Sequence, residues 1–537
     1  NVLAHSLNRI SEQHRRSRDF TLNSLRSALI AFIASLSVYR TYVDEQGATR
    51  GDRETISHAV EQARRRNPAL ETSIFDFLLD VLLPRRPEET TVSTEGGSIE
   101  RRSGYPPLAE ANYHDRIRFA MRLQQYTGPV HAKGIEDTAF YRYNVLLSLN
   151  EVGGNPGRFG IQPAVFHREN RLRLDCWPLE LLATSTHDSK LGEDVRARLN
   201  VLSELPDEWR RGVRQWVRLN AANRTQVGSE WAPDRNDEYR FYQALIGIWS
   251  AESGQPGGAL PDRFVERLQA YMLKAAKEAK VHTSWIHDNE QYDRALIGFV
   301  ERTLTGQSAT RFLESFVPFA HFVARVGMTN SLAQVLLKVA SPGVPDFYQG
   351  SELWDLNLVD PDNRRPVDYT RRAAWLREWR PLLDRGPGIH DDRGVETVRN
   401  LLDQWEDGRI KLWLTAALLQ FRRAAPDLFL SGEYVPLDAE LDVPGCVIAF
   451  ARRAGNRFAI AIAPRLVARL VPPRGLPVGP NVWRASRVRV PPELAAAEYR
   501  NIITGEMARP VSAHGESWLL VGEAFRTAPV ALLVRDA

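Results

Sequence analysis

Cysteine, lysine and long apolar runs are all scarce in this sequence. Only two cysteines occur among its 537 residues, Cys176 and Cys446, and they lie far apart. They form neither a metal-binding spacing nor a disulfide framework, so we expect a reducing compartment, the cytoplasm. The most apolar stretch near the start, residues 28–39, is too short and too often interrupted by serine to cross a bilayer. No membrane partner is therefore expected.

An excess of one charge is also missing. The formal net charge is +4, and the isoelectric point is about 9.0. Seven of the 70 basic residues are lysine, and the basic residues are spread along the chain. This distribution does not match a nucleic-acid-binding protein. The glycine-rich stretch 150–160 lacks the Gly-Lys-Ser or Gly-Lys-Thr of a phosphate-binding loop, so it is predicted to be a turn-rich loop. No cofactor and no metal site are predicted.

A chain of this length predicts three or four compact units. The pattern of apolar residues changes along the chain and predicts a finer division into five segments. These are a helical segment over 1–130, strands and loops over 131–200, a helical insertion over 201–330, a last strand with a long loop and helices over 331–430, and an antiparallel β domain over 431–537.

Local patterns predict several individual elements. Apolar residues at helical spacing predict a helix over 20–38. The tail contains a predicted hairpin with strands 446–453 and 457–463. PVHAKG, residues 129–134, is expected to be extended, and RLRLD, residues 171–175, is expected to be a surface loop because Cys-Trp-Pro follows it. The Arg-x-Asp in RLRLD is therefore not assigned to a site.

Three apolar stretches run directly into charged residues. They are 129–134 before Ile-Glu-Asp, LLATST at 181–186 before His187 and Asp188, and VPDFYQG at 344–350 before Ser-Glu. In a barrel of parallel strands with outer helices, catalytic side chains lie where the strands end. Three such units separated by helices predict part of such a barrel rather than all eight strands.

His187 and Asp188 are the first candidates for chemistry. A carboxylate at a strand end, next to an imidazole, can hydrogen-bond adjacent hydroxyls of a sugar ring, and such bonds strengthen as the ring distorts towards an oxocarbenium-like state. The alternative is a surface dipeptide without function. Three other His-Asp pairs occur, at 114–115, 287–288 and 390–391, so the dipeptide alone carries little information. The preceding strand and the charged GEDVRAR that follows distinguish this pair.

Two further segments have the composition of a carbohydrate site. KGIEDTAFYRY, residues 133–143, combines acids, bases and aromatic rings, which suit the hydroxyls and the apolar faces of a sugar. A helix start whose rings face the core has the same composition. Residues 346–369 hold six acids and two arginines with little apolar periodicity, which is typical of a functional loop. A network of arginine and aspartate that fixes the loop is the alternative.

Longer blocks of the sequence resemble one family. KGIEDTAFYRYNVLLSLNEVGG, LLATSTHDSKLGEDVRARL, YMLKAAKEAKVHTSWI and PGVPDFYQGSELWDLNLVDPDNRRPVDY resemble the maltooligosyltrehalose synthases of the α-amylase superfamily. RDFTLNSLRSAL and VYRTYV near the start do so as well. The blocks follow the family's order up to about residue 370. The β-rich tail suits the family's C-terminal domain.

The resemblance implies a fold and a reaction. The fold is an (α/β)8 barrel of α-amylase type, of which this chain holds the C-terminal part, with large helical insertions and a C-terminal antiparallel β domain. The reaction is an intramolecular transglycosylation that converts the reducing-end α-1,4 linkage of a maltooligosaccharide into an α,α-1,1 linkage. It requires a retaining pair of carboxylates about 5–5.5 Å apart. The implied partners are a glucan derived from starch or glycogen and the enzyme maltooligosyltrehalose trehalohydrolase, and no cofactor is implied.

The resemblance also assigns residues by position. Asp188 matches the family's third carboxylate, and His187 matches the adjacent histidine that contacts the transition state. The implied substrate-binding residues are Lys133, Glu136, Asp137, Tyr141, Lys190, Tyr348, Glu352, Asp360, Asn363 and Arg365. Two departures occur. Ser-Lys-Leu-Gly follows Asp188 where Thr-Lys-Arg-Ser is usual, and 287–288 is His-Asp where Asn-Pro is usual. Neither removes a catalytic group.

The family's nucleophilic aspartate and acid/base glutamate have no recognisable counterpart in these 537 residues. In the family both lie on earlier barrel strands, upstream of the segment that matches Asn1, and the first ten residues already have the pattern of a helix interior. We therefore expect this polypeptide to be the later part of a longer synthase and to lack the covalent chemistry on its own. Open strand edges would leave such a part of a barrel poorly stabilised.

Three other functions fit parts of the sequence. PGVPDFYQGSE alone also fits a 4-α-glucanotransferase or an α-amylase, although the KGIED and VDPDNRRPVDY blocks argue against both. The His-Asp pairs fit a helical His-Asp metal phosphohydrolase, which requires His187 and Asp188 on a helix with further histidine ligands. A non-catalytic glycan-binding fragment is the third alternative.

Overall fold

The computed structural model describes residues 1–13, 15–84, 110–250, 260–307, 309–384, 392–496, 498–513 and 515–535. The chain divides into two units, Asn1–Ala139 and Phe140–Ala537. The five segments predicted from the sequence divide it more finely, and that division stays a prediction.

The first unit is helical. Its helices are α1 (Val2–Glu12), α2 (Leu22–Ile33), α3 (Arg50–Arg66), α4 (Thr72–Leu82) and α5 (Glu110–His131), and α5 continues as a π-helix over Ala132–Ala139. Apolar side chains from all five helices form one core, in which Leu7, Leu25 and Leu78 are fully buried. The helix predicted over 20–38 is confirmed as α2, which ends five residues earlier than expected.

Helices also dominate the first three quarters of the second unit. They are α6 (Phe140–Arg142), α7 (Pro163–Cys176), α8 (Glu193–Val201), α9 (Pro206–Leu219), α10 (Arg235–Ile248), α11 (Phe264–Ala279), α12 (Glu290–Thr305), α13 (Ala309–Ala340), α14 (Tyr369–Leu383), α15 (Asp392–Asp403), α16 (Arg409–Ala424) and α17 (Pro426–Leu430). The 32-residue α13 packs against α8 and α16 and is largely buried. No helix in the described part of the chain is long and apolar enough to cross a membrane.

Two short parallel strands position the candidate site. They are β1 (Leu181–Ala183) and β4 (Val344–Asp346), and Leu181 pairs with Val344. The strand predicted within the apolar stretch 344–350 is thus confirmed. Gly343, which precedes β4, has a φ of +112°, and a Cβ there would lie 2.9 Å from the carbonyl oxygen of Glu180. Glycine is therefore required for β4 to approach β1 so closely. A separate small hairpin joins β2 (Thr225–Val227) to β3 (Glu230–Ala232).

The tail consists of antiparallel sheets. Its strands are β5 (Glu433–Pro436), β6 (Ala439–Glu440), β7 (Val447–Ala454), β8 (Arg457–Pro464), β9 (Arg487–Val490), β10 (Tyr499–Asn501), β11 (Met507–Ala508), β12 (Val511–Ala513), β13 (Glu516–Leu520) and β14 (Ala531–Val534), with short helices α18 (Pro480–Trp483) and α19 (Val521–Ala524). One sheet has the order β11-β10-β14-β8-β7-β5, and the other has the order β12-β13-β9-β6. The predicted hairpin is confirmed, with Gly455 at φ +59° in its two-residue turn.

Two local predictions were wrong. Residues 129–134 are not extended, because α5 passes through Pro129 and continues into the π-helix. Residues 171–175 are not a loop, because α7 continues to Cys176. The Cys-Trp-Pro sequence ends that helix rather than preventing it, because Pro178 disfavours the helical conformation at Trp177. Of the His-Asp pairs, 390–391 lies outside the described residues.

Candidate functional site

His187 and Asp188 lie on an exposed turn directly after β1. The parallel register of β1 and β4 brings the turn 184–188 and the segment after Asp346 to the same edge of the sheet. The hydroxyl of Thr186 accepts a hydrogen bond from the backbone N–H of Asp188 at 3.2 Å, and the backbone N–H of Thr186 donates to the Ser189 hydroxyl at 2.9 Å. Such side-chain bonds hold a turn in one shape. Both the imidazole and the carboxylate therefore face solvent on an ordered turn.

Asn363 connects this turn to the segment that follows β4. Its side-chain amide donates to the carbonyl oxygen of His187 at 2.9 Å and to that of Thr186 at 3.4 Å. The Tyr348 hydroxyl in turn donates to the carbonyl oxygen of Asn363 at 3.1 Å. Two predicted substrate-binding residues, Tyr348 and Asn363, are therefore hydrogen-bonded in series to the backbone of the turn that carries the predicted catalytic pair. Asn363 is only 6% exposed, so its amide serves the turn.

A second group of predicted residues forms ion pairs on the same segment. Asp360 pairs with Arg364, and Glu352 pairs with Arg372 at 3.1 Å. Arg365 donates from Nη2 to the side-chain oxygen of Asn357 at 2.6 Å. The network of arginine and aspartate that the composition allowed is therefore present. It fixes the segment 346–369 without excluding a site on it.

Asp362 and Arg267 anchor that segment to α11. The guanidinium of Arg267 donates two hydrogen bonds of 2.8 Å to the two carboxylate oxygens of Asp362. Burial raises the pKa of Asp362, but the hydrogen bonds and charge of Arg267 outweigh burial and lower it overall. The fork-like geometry of arginine suits such a two-bond contact.

Tyr141 and Lys190 are also brought together. The Lys190 ammonium lies 5.9 Å from the centre of the Tyr141 ring, and the Arg240 guanidinium lies 5.2 Å from the same ring. Both Tyr141 and Lys190 are buried, at 4% and 7% exposure. The backbone N–H of Lys190 donates to the Glu151 carboxylate at 2.9 Å. This bond joins the residues that follow Asp188 to the loop before α7.

Lys133, Glu136 and Asp137 belong to the first unit. They lie on the π-helix, and Lys133 pairs with Asp137 at 2.8 Å. Glu136 is 6% exposed, and the Tyr39 hydroxyl donates to its carboxylate. π-helices are rare and are frequently found at functional sites. The predicted helix start in this block is therefore replaced by a more unusual element.

A buried charged cluster beneath the turn was missed by the sequence reasoning. Lys411 donates to Glu193 at 2.6 Å and to Asp194 at 2.7 Å, and all three side chains are essentially buried. Lys338 donates to the Thr184 hydroxyl at 2.8 Å, and Asp355 accepts from the Ser185 hydroxyl at 3.1 Å. These contacts join the end of β1 to α13, α16 and the start of α8. We name Glu193, Asp194, Lys338, Asp355 and Lys411 the charged cluster.

The carboxylates of the charged cluster respond differently to their surroundings. Burial raises the pKa of Glu193, but Lys411 and Lys338 outweigh burial and lower it to about 2. Burial raises the pKa of Lys411's neighbour Asp355, and the charge of Asp194 raises it further. Burial lowers the pKa of Lys411, but Asp194 and Glu193 outweigh burial and raise it overall. Glu193 and Lys411 are thus held in their charged forms.

The described residues contain no group of three or more His, Cys, Asp or Glu side chains that could hold a metal ion. His187 and Asp188 follow a strand, whereas the His-Asp metal phosphohydrolase alternative requires them on a helix. The geometry instead presents one carboxylate and one imidazole side by side. Such a pair can hydrogen-bond neighbouring hydroxyls of one sugar ring.

Comparisons with known proteins agree with the resemblance seen in the sequence. No protein-family model matches the chain. A Mycobacterium tuberculosis protein (strain H37Rv) named "Putative maltooligosyl trehalose synthase" is 39% identical over 344 residues, which are 64% of this chain and 38% of that protein. The structure of maltooligosyltrehalose synthase from Arthrobacter ramosus matches all of this chain at 30% identity and a TM-score of 0.72. The Sulfolobus tokodaii structure titled hypothetical maltooligosyl trehalose synthase matches 99% of it at 26% identity and a TM-score of 0.62.

These matches confirm the predicted resemblance and fold class. They also show that the chain spans only part of its relatives. It covers 57% of the Arthrobacter ramosus chain and 58% of the Sulfolobus tokodaii chain. The roles of individual site residues stay predictions.

Proposed function

We propose that this chain, a relative of the maltooligosyltrehalose synthases in sequence and in fold, carries part of the active site for the same intramolecular transglycosylation. The reaction moves the reducing-end glucosyl unit of a maltooligosaccharide from an α-1,4 to an α,α-1,1 linkage. The observation that carries this proposal is the exposed His187–Asp188 turn at the end of β1, held by Asn363 from the segment after β4.

Asp188 is assigned to the third carboxylate of a retaining mechanism. In such a mechanism a nucleophilic carboxylate forms a glycosyl-enzyme intermediate, and an acid/base carboxylate first protonates the leaving oxygen and then deprotonates the acceptor hydroxyl. Asp188 hydrogen-bonds hydroxyls of the distorted ring, and His187 binds beside it. Exclusion of water favours the sugar hydroxyl as acceptor over hydrolysis. Lys133, Glu136, Asp137, Tyr141, Lys190, Tyr348, Glu352, Asp360, Asn363 and Arg365 are assigned to substrate binding, either directly or by supporting the turn.

The substrate is a maltooligosaccharide derived from starch or glycogen. The product is non-reducing because both anomeric carbons of its terminal unit are engaged in the new linkage. Maltooligosyltrehalose trehalohydrolase, which consumes such a product, is the proposed functional partner. The cytoplasm is the proposed location because neither cysteine has a partner in a disulfide framework.

No stretch of these 537 residues resembles the motif of the nucleophile or of the acid/base group. We therefore expect other residues to supply both groups. We therefore expect that the purified chain, incubated with maltohexaose, forms no trehalose-capped product. Chromatography and a reducing-end assay measure this. Trehalose-capped product from the chain alone would contradict this part of the proposal.

A chimera tests the function itself. The part of the Arthrobacter ramosus synthase that this chain does not match is joined to this chain, and maltohexaose is supplied. We expect loss of reducing ends and a trehalose-capped product. Asp188→Asn in the chimera should lower kcat by at least about a hundredfold, as the loss of a transition-state hydrogen bond in a closed site does. A folded chimera that releases only shorter reducing sugars would indicate a glucanotransferase or an amylase instead.

A further inference from the structure

A cavity of about 580 Å³ lies between α11 and the segment 358–365 of the second unit. Its volume is within the range of small-molecule sites. Buried apolar residues form part of its lining, among them Tyr271 and Leu358. Neither its α11 wall nor Trp285, which also borders it, belongs to the predicted catalytic or substrate-binding residues. Only Asp360 and Arg365 are shared with that set.

Trp285 presents an indole ring at the edge of this cavity. Trp285 is 59% exposed. It is nevertheless fixed, because its Nε1 donates to the Glu278 carboxylate at 2.9 Å and the Lys277 ammonium lies 5.4 Å from its centre. Lys277 is fixed in turn by Asp293 at 2.9 Å. A held, exposed ring beside a cavity is a stacking surface for the apolar face of a sugar.

The charges around the cavity are balanced. Four acidic and four basic side chains line it, so it has no net charge. A site for a phosphate or a metal ion would have an excess of one sign. Balanced charged groups instead offer both hydrogen-bond donors and acceptors, which suits the hydroxyls of a neutral sugar. On the α11 side these groups include Arg263 and Glu266, and on the opposite side they include Asp360 and Arg365.

Direct hydrogen bonds join the walls of the cavity in the absence of a ligand. The double hydrogen bond between Arg267 and Asp362 joins the two walls, and the Lys274 ammonium donates to the carbonyl oxygen of Asp360 at 2.6 Å. A ligand that enters therefore does not have to order the walls, which reduces the entropic cost of binding. The wall formed by 358–365 also carries Asn363, which holds the His187–Asp188 turn.

We propose that this cavity is an accessory binding site for a segment of an α-1,4-glucan chain, with Trp285 stacked on one glucosyl ring and the flanking charged groups bonded to its hydroxyls. The choice of an α-glucan among neutral sugars rests on the proposed function. The segment 358–365 connects the accessory site to the candidate active site, because it forms one wall of the cavity and its Asn363 donates to the His187–Asp188 turn. The cavity thus holds a part of a long substrate other than its reacting end.

The test uses the 537-residue chain labelled with 5-fluorotryptophan and fluorine NMR, with maltoheptaose as the probe. Trp177 and Trp231 are matched controls, because they are 70% and 49% exposed and neither lines this cavity. The three resonances are assigned from Trp285→Phe, Trp177→Phe and Trp231→Phe variants. We expect maltoheptaose at millimolar concentration to shift the Trp285 resonance saturably and to leave the two control resonances in place.

Variants locate the binding. Trp285→Ala should weaken maltoheptaose binding, measured by calorimetry, by about tenfold, which corresponds to the loss of a stacked ring. Ala270 lies on the exposed face of α11 that lines the cavity, so Ala270→Trp should fill the cavity and abolish the Trp285 shift. A Trp285 resonance that maltoheptaose leaves unmoved, or that moves equally in the Ala270→Trp variant, would overturn the inference.

The outcome separates this inference from the proposed function. A Trp285 shift that persists in Asp188→Asn supports an accessory site distinct from the catalytic turn, whereas its loss there would mean that the probe binds only at that turn and would overturn the inference. Should the chimera form no trehalose-capped product while Trp285 still responds to maltoheptaose, the proposed reaction fails and the glucan site stands. Conversely, an active chimera with an unresponsive Trp285 leaves the reaction intact and removes the accessory site.

Discussion

The side-chain amide of Asn363 donates to the carbonyl oxygen of His187 at 2.9 Å. The two residues are 176 positions apart in the chain, yet one fixes the backbone that carries the other. The resemblance to the synthases implies that Asn363 binds substrate. Its buried amide donates to the turn, so Asn363 can also act on a bound sugar through the placement of His187 and Asp188.

Asn363→Asp should loosen the turn. The aspartate has the same shape, but its carboxylate cannot donate to the carbonyl oxygens of His187 and Thr186 and repels them. We expect faster amide hydrogen exchange across 186–189 and a loss of unfolding free energy of about 1–3 kcal/mol. Gln226→Glu makes the same chemical change on an exposed strand and should alter neither measurement. Unchanged exchange at 186–189 in Asn363→Asp would contradict the positioning role.

Lys411→Met should destabilise the second unit strongly. The ammonium is fully buried between Glu193 and Asp194, so its removal leaves buried Asp194 without its paired lysine and leaves Glu193 with Lys338 alone, at 3.7 Å. The expected loss of unfolding free energy is about 3–5 kcal/mol by urea titration. Arg50→Met breaks an exposed pair with Glu54 and should cost less than about 1 kcal/mol. Adding Glu193→Gln and Asp194→Asn to Lys411→Met should restore part of the loss. A loss for Lys411→Met as small as that for Arg50→Met would show that the buried pairing is not needed.

Asp355 should make the fold less stable as the pH rises. Burial raises its pKa above the unfolded value of about 3.9. Between the unfolded and the folded pKa the folded chain binds more protons than the unfolded chain, so this group's contribution falls with rising pH. In urea titrations from about pH 4 to about pH 7, the unfolding free energy of Asp355→Asn should increase relative to that of the wild type as the pH rises.

The hydrogen bonds that Asp355→Asn alters add an offset that does not depend on pH, so the slope is the diagnostic quantity. Asp19→Asn, the same substitution at a side chain that is 90% exposed, serves as the control. An Asp355→Asn difference that is flat, or that falls with rising pH, would contradict the raised pKa.

Gly192→Ala should distort the junction between the turn and α8. A Cβ at this position would lie 2.4 Å from the carbonyl oxygen of Asp355, which is backbone and cannot move aside cheaply. We expect a loss of unfolding free energy of about 1–3 kcal/mol. Gly128→Ala is the matched control, because nothing lies within 4 Å of its Cβ position and alanine favours the helix there. Equal unfolding free energies for the two variants would show that the backbone at Asp355 moves aside at little cost.

Local patterns predicted the elements whose causes are local. The strand before His187, the strand within 344–350 and the hairpin around Gly455 all follow from apolar runs bounded by turn residues. The π-helix at 132–139 has no such signature, since its hydrogen bonds differ from those of an α-helix by one residue of spacing. The prediction of an extended piece over 129–134 was therefore wrong at the first three residues of the π-helix, 132–134.

The charged cluster could not be predicted for a different reason. Glu193 and Asp194 look like the acidic first turn of an exposed helix, which a helix dipole favours. Their partner Lys411 lies 218 positions from Glu193, and nothing near either residue indicates the pairing. The scarcity of lysine was the only available signal, because seven lysines in a chain of 537 residues draw attention to each one.

The pairing of β1 with β4 sets the order in which the site can form. Leu181 and Val344 are partners across more than 160 positions, and the intervening chain includes α8 to α13. Closing so long a loop is entropically costly until those helices have shortened it, and pairings between distant segments are slow to form. We therefore expect the helices to assemble first and the His187–Asp188 turn to become ordered late in folding, when β4 arrives and brings Asn363 with it.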